Sequence, residues 1–292
     1  SSRAASMGGS QIYLEEGEQM SVEDMIKSVV IASANDASVA LAEHLCGSEE
    51  AFVAQMNQRA QQLGMNNTHF ENTNGLDDDV TNHTSSARDI AIMSRALISH
   101  KLILKYSSIW MDTVRNGAFG LTNTNRLIRF YKGATGLKTG STSKARFCIS
   151  ATAERDGMEL IAVIMASPTR DIRNEEAKKL FDYGFANYGV YKNEGAALPD
   201  LYVQGGIKNS CGVAYGPFSA VLPKSAVKSV EQKIVLDEKT SAPVREGDIL
   251  GSVSYFSDGK EIGKVDIVST ENVNKINFWG LFGRMIQRFV IS

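Results

Sequence analysis

The sequence predicts an α+β fold in which helices flank a mostly antiparallel sheet, followed by a small all-β domain and a C-terminal amphipathic helix. Three observations carry this. Residues 21–64 and 86–98 place apolar side chains at helical spacing behind serine caps. Residues 110–165 change to strand-like runs joined by a hairpin turn, and the next segment returns to helix. Beyond residues 190–200 only short strands and turns remain until an apolar helical stripe begins at Asn277.

Taken in order, Ser21-Val22-Glu23-Asp24 has the Ser-x-x-acid form of a capping box, and Met25, Ile26, Val29 and Val30 follow at helical spacing. Ser33-Ala34-Asn35-Asp36 ends that helix, because its short polar side chains compete for backbone hydrogen bonds. A second helix starts at Asn35 or Asp36, is predicted to bury Val39, Leu41 and Leu45, and is closed by Gly47. Ser48 caps a third helix carrying Phe52, Val53, Met56, Ala60 and Leu63, ended by Gly64. The Asn-, Asp- and Thr-rich residues 66–84 read as loop, and Ser86 opens a helix with Ile90, Met93, Leu97 and Ile98 on one side. Phe147 to Ala151 and Leu160 to Met165 are strands joined at Asp156-Gly157. Residues 171–188 form a helix with Ala177, Leu180, Phe181 and Phe185 on its apolar face. In the β domain, Ile234 to Leu236, Ile249 to Val253 and Val265 to Val268 read as strands, with a hairpin at Asp258-Gly259.

A chain of 292 residues has room for two domains, drawn at 1–190 and 198–274, with the terminal helix at 277–292. In that helix Phe278, Leu281, Phe282, Met285, Ile286 and Phe289 share one face, and Arg284 and Arg288 the other. Such a stripe suits a helix lying on a membrane surface, or one packed on its own domain. No apolar run is long enough to span a bilayer. A net charge of −2 gives no reason to expect a nucleic-acid partner. Cys46, Cys148 and Cys211 form no Cys-x-x-Cys pair, and Cys46 and Cys148 sit among apolar neighbours, so they read as small buried hydrophobes. His44, His69, His83 and His100 are scattered, so neither a metal site nor a cofactor is expected. Ser1 to Ser6 read as the middle of a domain, which places the natural N-terminus outside this chain.

Two polar motifs about a hundred residues apart carry the chemistry: Ser33-Ala34-Asn35 and Lys138-Thr139-Gly140. Alone, Ser33 and Asn35 do no more than break one helix and start the next. Lys138-Thr139-Gly140-Ser141-Thr142 follows Gly133 and Gly136 and precedes the hairpin. Lys138 supplies a fixed positive charge; Thr139, Ser141 and Thr142 supply hydroxyl donors; Gly140 leaves room for another backbone. A strand edge with those groups suits an extended peptide ending in a carboxylate.

Together the motifs resemble those of D-alanyl-D-alanine carboxypeptidases, the low-molecular-mass penicillin-binding proteins. The resemblance runs in order through Ile31 to Ala37, Leu63 to Phe70, Asn74-Gly75-Leu76-Asp77, Ser86 to Asp89, Gly136 to Thr142 and Asp171 to Glu175. It extends to the β domain and the terminal helix. It implies the penicillin-binding/β-lactamase-like transpeptidase fold, incomplete at its N-terminus. It also implies a location on the outer face of a bacterial cytoplasmic membrane, and as partners β-lactams and peptidoglycan stem peptides ending in D-Ala-D-Ala. The implied mechanism is acyl transfer through a serine of a Ser-x-x-Lys motif, whose lysine is the general base. In that scheme Ser33 relays a proton to the leaving amine, Asn35 binds the acyl-side amide, and Lys138 supports Ser33 and attracts the terminal carboxylate. Thr139 and Arg173 contact that carboxylate, and the Ser141 N–H forms half of an oxyanion hole.

This sequence departs from the family pattern in one respect. No Ser-x-x-Lys stands ahead of Ser33; later ones, such as Ser141–Lys144 and Ser225–Lys228, lie too late in the chain to carry the helix-borne nucleophile. The expectation is therefore a site without its nucleophile, inactive as given, with a non-catalytic peptidoglycan-binding protein as the alternative. A β-lactamase is disfavoured, because Glu71-Asn72-Thr73-Asn74 lacks the Glu-x-x-Leu-Asn form of a deacylating loop.

Overall fold

The structure, a computed structural model, describes residues 1–78 and 80–290, the side chains of 287–290 aside. It divides into two units, Ser1–Ala186 and Asn187–Ser292.

In the first unit the serine caps do what their sequence positions require. Ser21 Oγ accepts from Asp24 N at the start of α2 (Val22–Ile31), Ser48 Oγ from Ala51 N at α4 (Glu49–Gln62), and Ser86 Oγ from Asp89 N at α5 (Ala87–Ile98). Before them lies the short α1 (Ser2–Ala5); α3 (Asn35–Cys46) ends at Gly47, whose φ of 81° is the left-handed cap expected there. Next come α6 (Leu102–Ser107), the hairpin β1 (Met111–Val114) and β2 (Phe119–Thr122), and α7 (Leu127–Phe130). An antiparallel sheet in the order β3-β4-β5 follows, from β3 (Ala134–Thr142), β4 (Arg146–Arg155) and β5 (Met158–Ser167). β3 is therefore an edge strand. The last helix of the unit is α8 (Arg170–Asn187).

Two apolar clusters hold these elements. Ile12, Met25, Ile31, Ala34, Ala37, Val114 and Leu121 pack α2 and α3 against the β1–β2 hairpin. Leu127, Tyr131, Ile149, Ala151, Ala162, Ala177 and Phe181 pack α7 and α8 against the sheet. A buried carboxylate fixes the chain ahead of α2: Asp36 accepts from Ile12 N, Leu14 N and Ala37 N at 2.9–3.2 Å. Arg115 grips the same segment from outside, donating to Ile12 O at 2.7 Å and pairing with Glu18 at 2.6 Å.

Three expectations about burial fail. Leu45 is 66% exposed, because the buried stripe of α3 runs through Asn35, Asp36, Ala37, Val39 and Ala42 and has turned away by the last turn. Leu180 is 49% exposed, because α8 buries Arg173, Asn174, Ala177, Phe181 and Gly184, and Leu180 lies beside that stripe. Cys46 and Cys148 are half-exposed; the buried thiol is Cys211. Cys46 closes the exposed end of α3, and Cys148 sits where β4 bulges against β5.

The second unit is built on a sheet in the order β10-β12-β13-β8-β7-β11. Its strands are β7 (Ala196–Gln204), β8 (Ser210–Tyr215), β10 (Glu231–Leu236), β11 (Lys239–Ser241), β12 (Ile249–Ser257) and β13 (Lys260–Ser269). A pair, β6 (Tyr188–Asn193) with β9 (Phe218–Pro223), and the short α9 (Lys224–Val227) complete it. Val203, Cys211, Val213, Val253, Tyr255 and Ile267 form its core, with Phe218 stacked on Tyr255 at 4.1 Å. The terminal helix α10 (Phe278–Val290) leaves Phe278, Trp279, Leu281, Phe282, Met285 and Ile286 exposed, Trp279 at 75%. Arg284 donates to Asn209 Oδ1 at 2.8 Å and to Ile207 O. The Phe289 and Arg288 side chains assigned to this helix from sequence lie outside the described residues.

Candidate active site

α2 stops at Ile31, and Ser33 takes a left-handed φ of 61°, turning the chain into α3. Across from this serine, β3 presents Lys138, and Lys138 Nζ donates to Ser33 Oγ at 2.6 Å and to Thr139 O at 2.7 Å. The motifs that lie far apart in sequence thus meet directly.

Ser33, Asn35, Lys138, Thr139, Gly140, Ser141, Thr142 and Arg173 all line one cleft of about 590 Å³. Asn35 sits on the first turn of α3, where its N–H reaches Ser10 O and its Nδ2 reaches Gly8 O, both at 2.8 Å. Its Oδ1 accepts no bond among the described residues. Thr139 Oγ1 donates to Thr124 Oγ1 at 2.7 Å. Gly140 faces open space, and Ser141 beside it is exposed. Thr142 Oγ1 accepts from Ala145 N and so closes the turn after β3. Arg173 is only 2% exposed; it donates to Asn174 Oδ1 at 3.0 Å and to Cys148 O at 3.3 Å. No ion pair among the described residues uses it, so its charge is buried without a counter-ion.

Lys138 loses its proton more readily than an exposed lysine would. Burial, aided by the Arg173 charge, pushes its pKa down to about 8. Burial and the charges of Arg170 and Arg126 push Arg173 down to about 10. A cleft that penalises two cations in this way favours an anion between them. It can also pass a proton from the ammonium through Ser33 to a group bound above it.

Several cleft residues escaped the sequence reading. Thr124 stands between Asn123 and Asn125, both buried: Asn123 Nδ2 holds Ser107 O and Ile109 O, and Asn125 Nδ2 holds Gly136 O. The polar run Asn123-Thr124-Asn125 is the signal that marks it. Asn72 to Leu76 form another wall, held by the buried Glu49, whose Oε1 accepts from Thr73 N and Oγ1. Arg170 also lines the cleft. Glu71 spends its carboxylate on Thr81 N and Asn82 N, holding its own loop. No group of side chains suited to a metal ion occurs among the described residues.

Known proteins resemble this chain over most of its length. The family model described as D-alanyl-D-alanine carboxypeptidase matches residues 1–169, and that for the penicillin-binding protein 5 C-terminal domain matches 196–275. D-alanyl-D-alanine carboxypeptidase DacF of Bacillus subtilis (strain 168) is 39% identical over 285 residues, covering 95% of this chain and 73% of its own. DacC of Escherichia coli (strain K12) is 32% identical over 278 residues, covering 94% of this chain and 69% of its own. Penicillin binding protein 5 from Haemophilus influenzae superposes with a TM-score of 0.73 at 35% identity, over 91% of this chain and 78% of that one. Penicillin binding protein 6B from Escherichia coli gives 0.67 at 31%, over 89% and 73%. Likeness of this extent reaches through both units and both motifs, and the chain belongs to the D-alanyl-D-alanine carboxypeptidase family.

Proposed function

We propose that this cleft removes the terminal D-alanine from peptidoglycan stem peptides by serine-type acyl transfer. The observation that carries this is the 2.6 Å contact between Lys138 Nζ and Ser33 Oγ, in a cleft that also holds the uncompensated Arg173. The terminal carboxylate is held by Arg173 and Thr139, with the Lys138 charge behind them. Asn35 has its Nδ2 engaged by Gly8 O, so its Oδ1 accepts the acyl-side amide N–H. Ser141 lies on the edge strand β3, and its N–H serves the carbonyl oxygen. When the scissile C–N bond breaks, Ser33 gives its proton to the leaving amine and takes one from Lys138. Water then releases the acyl group, completing a hydrolysis.

The attacking hydroxyl in this scheme is that of a Ser-x-x-Lys, which does not occur ahead of Ser33 in these 292 residues, and the same serine takes β-lactams. The chain as given forms no acyl-enzyme. The exposed apolar face of α10 supports contact with a membrane surface, and the extracytoplasmic side is where the proposed substrate, peptidoglycan, lies; no described helix is long and apolar enough to cross a membrane.

Labelled penicillin tests the assignment. The chain extended upstream by its native segment should carry a covalent adduct, lost in Lys138→Ala and Ser33→Ala, while the 292-residue chain carries none. An extended chain that binds stem peptide yet never acylates points instead to a non-catalytic peptidoglycan-binding protein.

A further inference from the structure

Two exposed guanidiniums beside the cleft have no part in that chemistry. Arg126, just before α7, and Arg170, at the first turn of α8, flank a groove of about 560 Å³ walled by Trp110 and Phe130. The groove shares Thr124 and Arg170 with the cleft. Thr124 is the acceptor of the Thr139 hydroxyl, so the groove opens at the end of the cleft where Thr139 and Arg173 lie.

The groove is cationic without compensation. None of Arg126, Arg129, Arg170 or Arg173 enters an ion pair among the described residues. Asp171 and Glu175 share a separate depression with Arg126 but do not pair with it, and Glu175 is held by Lys178 at 2.8 Å. Arg129 lies over the Trp110 and Phe130 rings, 5.7 Å from each centroid, and braces the aromatic walls. Like charges gathered this way favour the entry of an anion.

We propose that this groove is a leaving-side subsite for a D-residue whose extended side chain ends in a second carboxylate, and it rests on the reading of the cleft given above. The α-carboxylate of that residue sits at Thr139 and Arg173. Its methylenes run past Thr124 along the joined Trp110 and Phe130 rings, which meet edge to face at 6.2 Å, and its second carboxylate meets Arg126 and Arg170. The methyl of D-alanine ends before the groove begins and leaves those charges unused. The site therefore prefers a longer, dianionic leaving residue of the amino-dicarboxylic class.

Three peptides separate the outcomes: N-acetyl-D-alanyl-D-alanine, N-acetyl-D-alanyl-D-2-aminopimelate, and the D-2-aminoheptanoate analogue that lacks the second carboxylate. Each is titrated calorimetrically into the 292-residue chain at low salt. The aminopimelate peptide should bind about tenfold more tightly than the other two, an advantage that shrinks with added salt. In Arg126→Gln the advantage should fall to about threefold or less, and in Arg126→Glu it should vanish or reverse, with the D-alanine peptide unaffected. Equal affinity of the three peptides, or an advantage that survives Arg126→Glu, overturns the subsite alone. If none of the peptides binds, or Arg173→Gln leaves all three unchanged, the reading of the cleft is wrong and the subsite falls with it.

Discussion

Lys138 Nζ and Ser33 Oγ stand 2.6 Å apart although 105 residues separate them in the chain. Neither residue is remarkable locally: one lies on an edge strand and the other at a helix break. Their contact requires the junction of α2 and α3 to be held beside the edge strand β3, which makes the pair a sensitive probe of the unit.

Lys138 gives the first prediction. Its pKa is lowered from the usual 10.5 to about 8, so the folded protein gives up this proton at a lower pH than the unfolded chain. Between those values the unfolded chain binds more protons, and the residue's contribution to stability rises with pH. Below pH 8 the buried ammonium is at its most unfavourable. Lys138→Met should therefore be more stable than the parent at pH 7, with a gap that narrows from pH 8 to 10.5. Urea midpoints across that range check this; a gap independent of pH contradicts it.

Asp36 carries a different load. Its carboxylate satisfies three backbone N–H groups, those of Ile12, Leu14 and Ala37. Asp36→Ala orphans them and should cost about 2–4 kcal/mol. Asp36→Asn should cost less, since one oxygen remains as acceptor. Chemical denaturation measures both.

Gly9 separates backbone strain from contact with the site. Its φ is +75°, and a Cβ there would stand 2.8 Å from Asn35 Nδ2. Gly9→Ala should lose about 1–2 kcal/mol of stability and also weaken peptide binding by displacing Asn35. Gly17 has a φ of +79° with nothing near a Cβ, so Gly17→Ala should lose stability and leave binding intact. Equal effects on binding would contradict the role given to Asn35.

The terminal helix makes a separable claim. Phe278 and Phe282 stack 6.4 Å apart on its exposed face. Phe278→Glu with Phe282→Glu should abolish flotation with lipid vesicles and leave the melting of the β unit unchanged. Flotation that persists in the double variant removes the membrane assignment.

Where sequence could be read, short-range chemistry was the reason. Ser21, Ser48, Ser86 and Gly47 act within a turn of their own position, so their roles were visible in the string. Ser33, Asn35 and Lys138 were visible through their motifs. The rest depended on tertiary neighbours. Arg173 could be assigned only through the family resemblance, and only the packing of α8 on the sheet buries it. The shift on Lys138 needs that same burial together with the approach of Arg173. Thr124 owes its place to two buried asparagines bonded to distant carbonyls. Leu45 and Leu180 fit a helical period yet face solvent, because period fixes the width of a stripe and not which edge meets a partner.

Replacing the terminal carboxylate of N-acetyl-D-alanyl-D-alanine by an amide, and titrating both peptides into the chain and into Arg173→Gln, reads the central claim directly. The amide should bind about tenfold or more weakly to the parent, and the two should bind alike to the variant. Equal affinity of acid and amide for the parent would show that the buried guanidinium and the Ser33–Lys138 pair are not arranged around a carboxylate terminus.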